Sequence, residues 1–331
     1  MSNAVVISGL TKTFGPKVAV KDLNLVVPTG SLCGFIGPNG AGKTTTIRMI
    51  MSIIFPDSGE LSVLGQPSAD KSKDRIGYLP EERGVYRKMK VAAFLTYMAR
   101  LKGLDSGAPL RQKVHTWLER MGLADSAKKR CEELSKGMQQ KVQFIASVIH
   151  EPDLLILDEV FSGLDPVNRK LMRTMIDEQH RAGRTIIFST HAMYEAEQLC
   201  DRVFMIHRGV KVLDATLGEI RARFDPRTII VEPAADEGLA EAALGAIPGI
   251  DALHHTRDGL ELHLGEHTDP RGVMAEIVRA TPVRRVELKR VTLEDVFISL
   301  VEERGVSHEE AEHLRAAVGA LAGEGAQEAE S

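Results

Sequence analysis

The sequence predicts an α/β protein, in which a mixed sheet with a helical insert is followed by a small α+β unit. Three observations predict this fold. A glycine-rich loop follows an apolar run at residues 31–36, and a second apolar run at residues 154–158 ends in an acidic pair. Short apolar runs of this kind are typical of strands buried in a parallel sheet. Beyond Phe224 the pattern is β-α-β-β-α-β, which is the ferredoxin-like order.

Hydrophobic periodicity predicts the elements of the first unit. Strands are predicted at residues 5–8, 23–27, 31–36, 154–158 and 185–189. Helices are predicted at residues 44–52 and 168–181, and the apolar runs 204–207 and 210–213 predict a hairpin across Arg208-Gly209. Residues 82–150 have apolar positions at helical spacing, as in Met138, Val142, Ile145 and Ile149, which predicts a helical insert between two halves of the sheet.

The second unit is assigned in the same way. Its strands are predicted at residues 228–231, 251–255, 260–264 and 284–288, and its helices at 237–246, 270–280 and 292–303. We therefore expect a first domain at residues 1–223, with a helical subdomain at about 82–150, and a C-terminal α+β domain at 224–305. Residues 306–331 are rich in Ala, Glu and Gly and are expected to form a flexible tail.

Composition narrows the function classes. The chain has 331 residues and a net charge of −4, without the clustered Lys and Arg of a nucleic-acid surface, so no nucleic-acid partner is expected. Its three cysteines are scattered and lack metal-site spacing, which favours a reduced compartment. The first ten residues lack the basic start and long apolar core of a secretory signal, so none is expected, and no apolar stretch reaches the roughly 18 residues of a membrane span. Any membrane connection is expected through a partner.

The loop at residues 37–44, GPNGAGKT, matches the phosphate-binding pattern G-x-x-x-x-G-K-[ST]. Its glycines let backbone N–H groups surround phosphate oxygens at the start of a helix. Lys43 is expected to reach the β- and γ-phosphates, and the Thr44 hydroxyl is expected to ligate magnesium. A glycine-rich turn could match by chance, but a strand precedes this loop and a helix follows it. The motif therefore predicts a nucleoside triphosphate with Mg²⁺.

The acidic pair Asp158 and Glu159 ends a buried strand, at the sheet edge where α/β proteins bind ligands. Asp158 is expected to hold the magnesium, and Glu159 to act as general base towards the attacking water. An isolated acidic pair would more often be a solvated strand end, but the phosphate loop favours the catalytic interpretation. His191 follows the next strand and could contact the γ-phosphate, although a lone histidine is more often a packing residue.

The segment LSKGMQQ at residues 134–140 begins a predicted helix. Ser135 is a plausible N-cap, and the first-turn amides could face an anion. Taken alone, this is a capped helix, and nothing local demands a ligand.

The order and spacing of these motifs over residues 5–217 resemble the ATPase subunit of the ATP-binding cassette (ABC) family. The motifs also include SGLD at residues 162–165 and STH at 189–191. The resemblance implies a P-loop ABC ATPase fold, with ATP and Mg²⁺ bound at a site that two copies share. It assigns nucleotide contacts to Phe14, which would stack on adenine, and to Gly37, Asn39, Gly40, Gly42, Lys43, Thr44 and Thr45.

The resemblance also assigns roles at a dimer interface. Ser135 and Gly137 would bind the γ-phosphate of the ATP held by the second copy, and Asp165 would lie across the interface. Glu159 would be the catalytic base, with Lys43 and His191 as the other catalytic residues.

The chain departs from the family's usual motifs in three places. Lys136 and Met138 replace a glycine and a glutamine of the signature, although Ser135 and Gly137 are kept. Glu81 stands where a magnesium-sensing glutamine is usual, so a carboxylate is expected near the metal. The dipeptide at residues 160–161, VF, replaces the common Pro-Thr and is expected to alter packing only.

The motif at residues 77–84, GYLPEERG, and the ending LEDVF at 293–297 are similar to exporters whose ATPase and permease are separate chains. The resemblance implies a multi-span permease as partner and a peripheral place on the cytoplasmic face of the membrane. Two alternatives remain: a soluble ABC ATPase in translation or DNA repair, and a subunit that binds ATP without hydrolysis. The single phosphate loop, the absence of long heptads and the presence of Glu159 and His191 favour the transporter ATPase. The sequence does not identify the cargo.

Two further groups have simpler interpretations. Four histidines of the second unit, at 254, 255, 263 and 267, lack a cysteine or acidic companion at ligand spacing, so a metal site is not expected there. Arg284, Arg285, Lys289 and Arg290 are expected to form a solvated basic face.

Overall fold

The computed structural model describes residues 2–82, 84–234, 237–256 and 259–303. The chain divides into two compact units. The first comprises Met1–Leu217 together with the chain from Phe297, and the second comprises Gly218–Val296. The predicted tail at residues 306–331 lies outside the described residues.

The first unit combines two sheets. Its strands are β1 (Asn3–Phe14), β2 (Lys17–Pro28), β3 (Leu32–Ile36), β4 (Ser58–Val63), β5 (Ile76–Leu79), β6 (Leu154–Asp158), β7 (Thr185–Thr190), β8 (Arg202–His207) and β9 (Val210–Thr216). The larger sheet has the order β5-β6-β7-β3-β8-β9, in which only the β8–β9 hairpin is antiparallel. The smaller sheet is antiparallel, in the order β2-β1-β4. The predicted mixed sheet and hairpin are confirmed.

The register of the parallel strands positions the site. Every residue of β3, β6 and β7 is buried, as their continuous apolar runs predict. Ile36 at the end of β3 pairs with Thr190 of β7, and Asp158 of β6 pairs with Ser189. The phosphate loop, the acidic pair and His191 therefore begin at one edge of the sheet.

The helices of the first unit are α1 (Lys43–Ile50), α2 (Val91–Leu101), α3 (Ala108–Arg120), α4 (Lys136–Val148), α5 (Pro166–Arg181) and α6 (Met193–Leu199). Residues 82–150 contain α2, α3 and α4, in agreement with their helical spacing. Ser135 is the N-cap of α4, where its hydroxyl accepts a hydrogen bond from Met138 N at 3.3 Å. The predicted cap is thus confirmed.

The second unit has the predicted ferredoxin-like order. Its elements, with the helices that flank it, are α7 (Leu217–Arg223), β10 (Thr228–Pro233), α8 (Glu237–Gly245), β11 (Ile250–Thr256), β12 (Gly259–Leu264), α9 (Pro270–Ala280), β13 (Val283–Leu288) and α10 (Leu293–Glu302). The strands form an antiparallel sheet in the order β11-β12-β10-β13. Ile229, Val231, Leu260, Leu262 and Ile277 are fully buried in its core.

The sequence analysis missed several short or peripheral elements. β4 and β5 are edge strands, and three of the six residues of β4 are exposed. β1 extends to Phe14 through residues 11–13, which are only partly buried, and α6 has seven residues. Within the described residues, no helix combines the length and the apolar character that crossing a membrane needs.

Helix α4 depends on Phe144, which is fully buried. We expect Phe144→Ala to destabilise the first unit by about 3–5 kcal/mol, because truncation loses apolar burial and leaves a cavity. Phe55→Ala is the matched control. Phe55 is 66% exposed, so its loss should change stability by no more than about 0.5 kcal/mol. Thermal unfolding of both variants measures the difference, and equal midpoints would contradict the placement of Phe144.

Candidate active site

The phosphate loop lies between β3 and α1 and is packed closely against neighbouring backbone. A Cβ atom on Gly37 would lie 2.2 Å from the carbonyl oxygen of Ile206, and one on Gly42 would lie 2.6 Å from that of Ala19. Gly42 also has a φ of 111°, which side chains rarely adopt. A side chain is excluded at both positions, so the backbone N–H groups at the start of α1 stay free to surround an anion.

Lys43 is a buried cation inside this loop. Its side chain is 6% exposed, and its Nζ donates to the carbonyl oxygens of Gly37 at 2.6 Å and Pro38 at 3.3 Å. The same nitrogen lies 3.9 Å from Glu159 Oε1. Burial lowers the pKa of Lys43, and the nearby carboxylates act in the opposite direction. The side chain is therefore placed to meet phosphate oxygens that enter the loop.

Asp158 is a carboxylate buried at the end of β6. The residue is fully buried, and neither oxygen makes a hydrogen bond of standard geometry with the described part of the chain. Burial raises the pKa of Asp158 to about 6; the neighbouring Ser189 hydroxyl opposes this rise, and the charges of Glu159 and Glu81 add to it. A buried carboxylate without well-formed hydrogen bonds is costly, and a cation at this position would compensate for it. The residue therefore fits the predicted metal ligand.

Glu159 and His191 are joined by two hydrogen bonds. His191 N donates to Glu159 Oε1 at 3.1 Å, and His191 Nδ1 lies 2.8 Å from the same oxygen. Because a carboxylate accepts hydrogen bonds, this contact favours the proton on Nδ1 and leaves Nε2 for another partner. Glu159 has a φ of 49°, a left-handed conformation that is uncommon for a side-chain-bearing residue. The backbone turn that ends β6 thus presents the carboxylate to the histidine.

A pocket of about 360 Å³ adjoins the phosphate loop. It brings together the predicted nucleotide contacts Phe14, Asn39, Gly40, Gly42, Lys43, Thr44 and Thr45 with the predicted metal-site residue Glu81 and the predicted base Glu159. Phe14 is 49% exposed there, as a ring available for stacking would be. Lys17 and Ala19 also line the pocket, and sequence reasoning missed them. Strand pairing could have identified Lys17, because this residue lies opposite Phe14 in the β1–β2 ladder.

Four predicted nucleotide contacts are not among the described residues that line this pocket. Gly37 begins the phosphate loop itself, whereas Ser135, Gly137 and Asp165 lie outside the loop. They lie near one another instead: a Cβ atom on Gly137 would be 3.4 Å from the Leu164 side chain, next to Asp165. Asp165 caps α5 by accepting a hydrogen bond from Asn168 N at 2.9 Å, and this bond lowers the pKa of Asp165. One chain therefore has two separate groups of predicted contacts.

Family models match both units. The ABC transporter model matches residues 20–162, and the model of the C-terminal domain of DrrA1-3-like ATP-binding proteins matches residues 216–301. A model described as an AAA domain, putative AbiEii toxin, type IV toxin–antitoxin system, matches residues 130–197. YhaQ of Bacillus subtilis, an uncharacterized ABC transporter ATP-binding protein, is 40% identical over 295 residues, which are 89% of this chain and 97% of YhaQ.

The chain belongs to the ABC transporter ATP-binding proteins. The daunorubicin/doxorubicin resistance ATP-binding protein DrrA of Streptomyces peucetius is 33% identical over 90% of this chain and 92% of its own length. The linearmycin resistance ATP-binding protein LnrL of Bacillus subtilis is 34% identical over 75% of this chain and 79% of its own length.

Solved structures agree with this assignment. An ATP-binding subunit of an ABC transporter superposes with a TM-score of 0.63 and 31% identity, over 67% of this chain and 93% of its own. CbiO1 of Clostridium perfringens, described as part of the ABC transporter complex CbiONQ, gives a TM-score of 0.59 at 25% identity, over 68% and 92% of the two chains. This ABC protein is therefore an ATPase that energises a transporter, and the alternative in translation or DNA repair is not favoured.

The buried Asp158 predicts an unusual pH dependence of stability. Its pKa rises from an ordinary 3.8 to about 6 on folding, so the folded chain holds a proton that the unfolded chain has released. Stability therefore falls as the pH rises through this window. In the nucleotide-free chain we expect Asp158→Asn to raise the unfolding midpoint at about pH 7.5, by roughly 3 kcal/mol of stability at most, and to give only about half that gain at about pH 5.

Asp57→Asn is the control of opposite sign, since a hydrogen bond from Lys12 lowers the pKa of Asp57. It should lose stability above the pKa of Asp57, where the carboxylate is ionised. Thermal unfolding at the two pH values measures both variants. An Asp158→Asn chain no more stable than wild type at about pH 7.5 would contradict the burial of an unpartnered charge.

Proposed function

We propose that this ABC ATPase pairs head-to-tail with a second copy and hydrolyses ATP at two sites that the copies share. The observation that carries the proposal is the separation of the predicted contacts. The pocket beside Lys43 lacks Ser135, Gly137 and Asp165, while Ser135 is exposed at the start of α4. A two-fold interface that places this helix start of one copy against the phosphate loop of the other completes both sites at once.

Each group has a distinct role in the proposed site. The phosphate-loop amides and Lys43 bind the β- and γ-phosphates, and Phe14 stacks on the adenine. From the other copy, the N-terminal amides of α4 face the γ-phosphate, where the helix dipole favours an anion. ATP thus contacts both copies and favours the closed dimer, and loss of the γ-phosphate removes part of that contact.

Magnesium fits the donor set around the phosphate loop. Thr44 and Glu81 line the pocket, and Asp158 offers the unpartnered carboxylate. Within the described residues, no group of three or more His, Cys, Asp or Glu side chains converges for a metal. Mg²⁺ suits such a site, because it is commonly held by one or two carboxylates, waters and substrate phosphates. When bound, it would neutralise phosphate charge, with Thr44 and Asp158 as ligands and Glu81 beside it.

Glu159 is the proposed general base. Its carboxylate lines the pocket and is 10% exposed, so it can take a proton from a water that attacks the γ-phosphorus. His191 holds this carboxylate by the two hydrogen bonds described above and leaves Nε2 free for the γ-phosphate. The pair orients the base before the substrate arrives.

The partner is proposed to be a separate multi-span permease, with the ATPase bound at the cytoplasmic face of the membrane. CbiO1, which the chain resembles, is part of the ABC transporter complex CbiONQ, and the C-terminal unit matches the DrrA1-3-like domain. Two relatives carry drug- or linearmycin-resistance names, which supports export as the direction. The loop that carries Glu81 follows β5 and would pass movement from the nucleotide to the permease.

Substitutions of Lys43 and of Glu159 should impair different steps, namely ATP binding and ATP hydrolysis. Lys43→Ala removes a phosphate contact and should weaken ATP binding. Glu159→Gln should leave ATP affinity within about twofold and lower kcat by roughly 100-fold or more, since the base acts mainly in the transition state. Nucleotide titration and steady-state hydrolysis of the full chain measure both. Equal ATP affinity in wild type and Lys43→Ala would contradict the assignment of Lys43.

Blocked hydrolysis should trap the dimer. With ATP and magnesium, Glu159→Gln is expected to double its mass in light scattering, because the γ-phosphate that joins the copies persists. The double variant Glu159→Gln, Ser135→Arg is the control, since the larger cation occupies the start of α4, and it should stay monomeric. A monomeric Glu159→Gln chain at saturating ATP would overturn the shared-site proposal.

A further inference from the structure

A buried ion pair joins helices α5 and α6 away from the nucleotide pocket. Arg173 of α5 donates to Glu195 Oε2 of α6 from Nη2 at 2.6 Å and from Nε at 3.2 Å. The Glu195 side chain is 7% exposed and that of Arg173 is 29% exposed. A carboxylate this deeply buried needs its cation, because an unpaired buried charge is strongly destabilising.

Arg173 also contacts two aromatic rings. Its Cζ atom lies 5.8 Å from the ring centre of Phe161 and 5.7 Å from that of Tyr194. Phe161 in turn meets Phe188 of β7 edge-on, with ring centres 5.5 Å apart. A guanidinium can hold an ion pair and ring contacts at once because it is planar and carries its donors in a fixed fork.

These contacts meet at the segments that carry the proposed catalytic residues. Phe161 is two positions after Glu159, and Glu195 is four positions after His191. Helix α5 itself begins directly after Asp165, which caps it. Arg173 therefore touches the segment of the general base, the segment of its histidine and the helix that starts at the proposed dimer interface.

We propose that Arg173 is a positioning residue for hydrolysis. It fixes the His191 segment relative to Glu159 through Glu195 and Phe161, and it ties that arrangement to helix α5 and Asp165. The Glu159–His191 hydrogen bonds depend on the relative placement of two chain segments that end neighbouring strands. Small displacements of catalytic groups can cost about 100-fold in rate, so a device outside the pocket can govern turnover. This inference rests on the proposed roles of Glu159 and His191.

The test compares three full-length variants in the same ATPase assay. Arg173→Met keeps the length and apolar stem but removes the ion pair, and we expect kcat to fall about 10- to 100-fold while KM for ATP changes less than about twofold. Arg181→Met is the matched control on the same helix. Arg181 is 77% exposed and, within the described part of the chain, forms an ion pair with Asp177 alone, so the kcat of this variant should stay at the wild-type value.

The third variant separates positioning from folding. In Arg173→Met, Glu195→Met an apolar pair replaces the ions, a change that is often neutral for stability. We expect the unfolding midpoint to recover and kcat to remain low. If kcat recovers together with the midpoint, or if Arg173→Met turns over like wild type, the positioning role is wrong. If Arg173→Met fails to fold, the proposal is tested with Arg173→Lys instead. It keeps the charge but not the fork, and wild-type kcat would overturn the proposal.

Glu159→Gln in the same assay distinguishes failure of the proposed function from failure of the inference about Arg173. If Glu159→Gln hydrolyses ATP normally, the proposed function itself fails. If Glu159→Gln is inactive while Arg173→Met is fully active, only the inference about Arg173 fails.

Discussion

The site depends on a charge imbalance that the parallel sheet enforces. Because β3, β5, β6 and β7 run parallel in one sheet, the segments that follow them place one buried ammonium, Lys43, among the carboxylates of Asp158, Glu159 and Glu81. One cation cannot neutralise three carboxylates, and a triphosphate adds more negative charge. The helix-start amides, together with the proposed divalent ion, would supply the positive charge that the arrangement lacks. For the same reason, we expect the excess of carboxylates at this edge of the sheet to lower the stability of the nucleotide-free chain.

The unfavourable features of the site are local, and the structure around the site holds them in place. Asp158 is buried without a hydrogen bond of standard geometry in the described part of the chain, and Glu159 has a left-handed backbone conformation, which persists only where surrounding structure holds it. That structure is the fully buried strands on each side and, in our account, the Arg173–Glu195 pair. Strain and unpaired charge therefore lie where nucleotide binding can relieve them. Because the two groups of predicted contacts are separate on one chain, we propose that a second copy supplies the group that each nucleotide pocket lacks.

The sequence predicts what depends on local pattern. The phosphate loop, the buried strands and the Ser135 cap each have a residue signature, and each was found in place. Edge strands such as β4 have few buried positions and escaped prediction. Lys17 in the pocket depends on pairing across a hairpin, and the Arg173–Glu195 pair joins residues 22 positions apart. Such contacts are determined by tertiary packing, so a local sequence pattern does not predict them.

The most direct test of the account mixes two inactive variants. Lys43→Ala lacks its own phosphate contact but keeps α4 intact, and Ser135→Arg has the reverse defect. A head-to-tail pair of the two contains one complete site, because Lys43 comes from one copy and Ser135 from the other. The account predicts that each variant alone is inactive and that the mixture regains ATP hydrolysis. A mixture as inactive as its components would contradict a site shared between two copies.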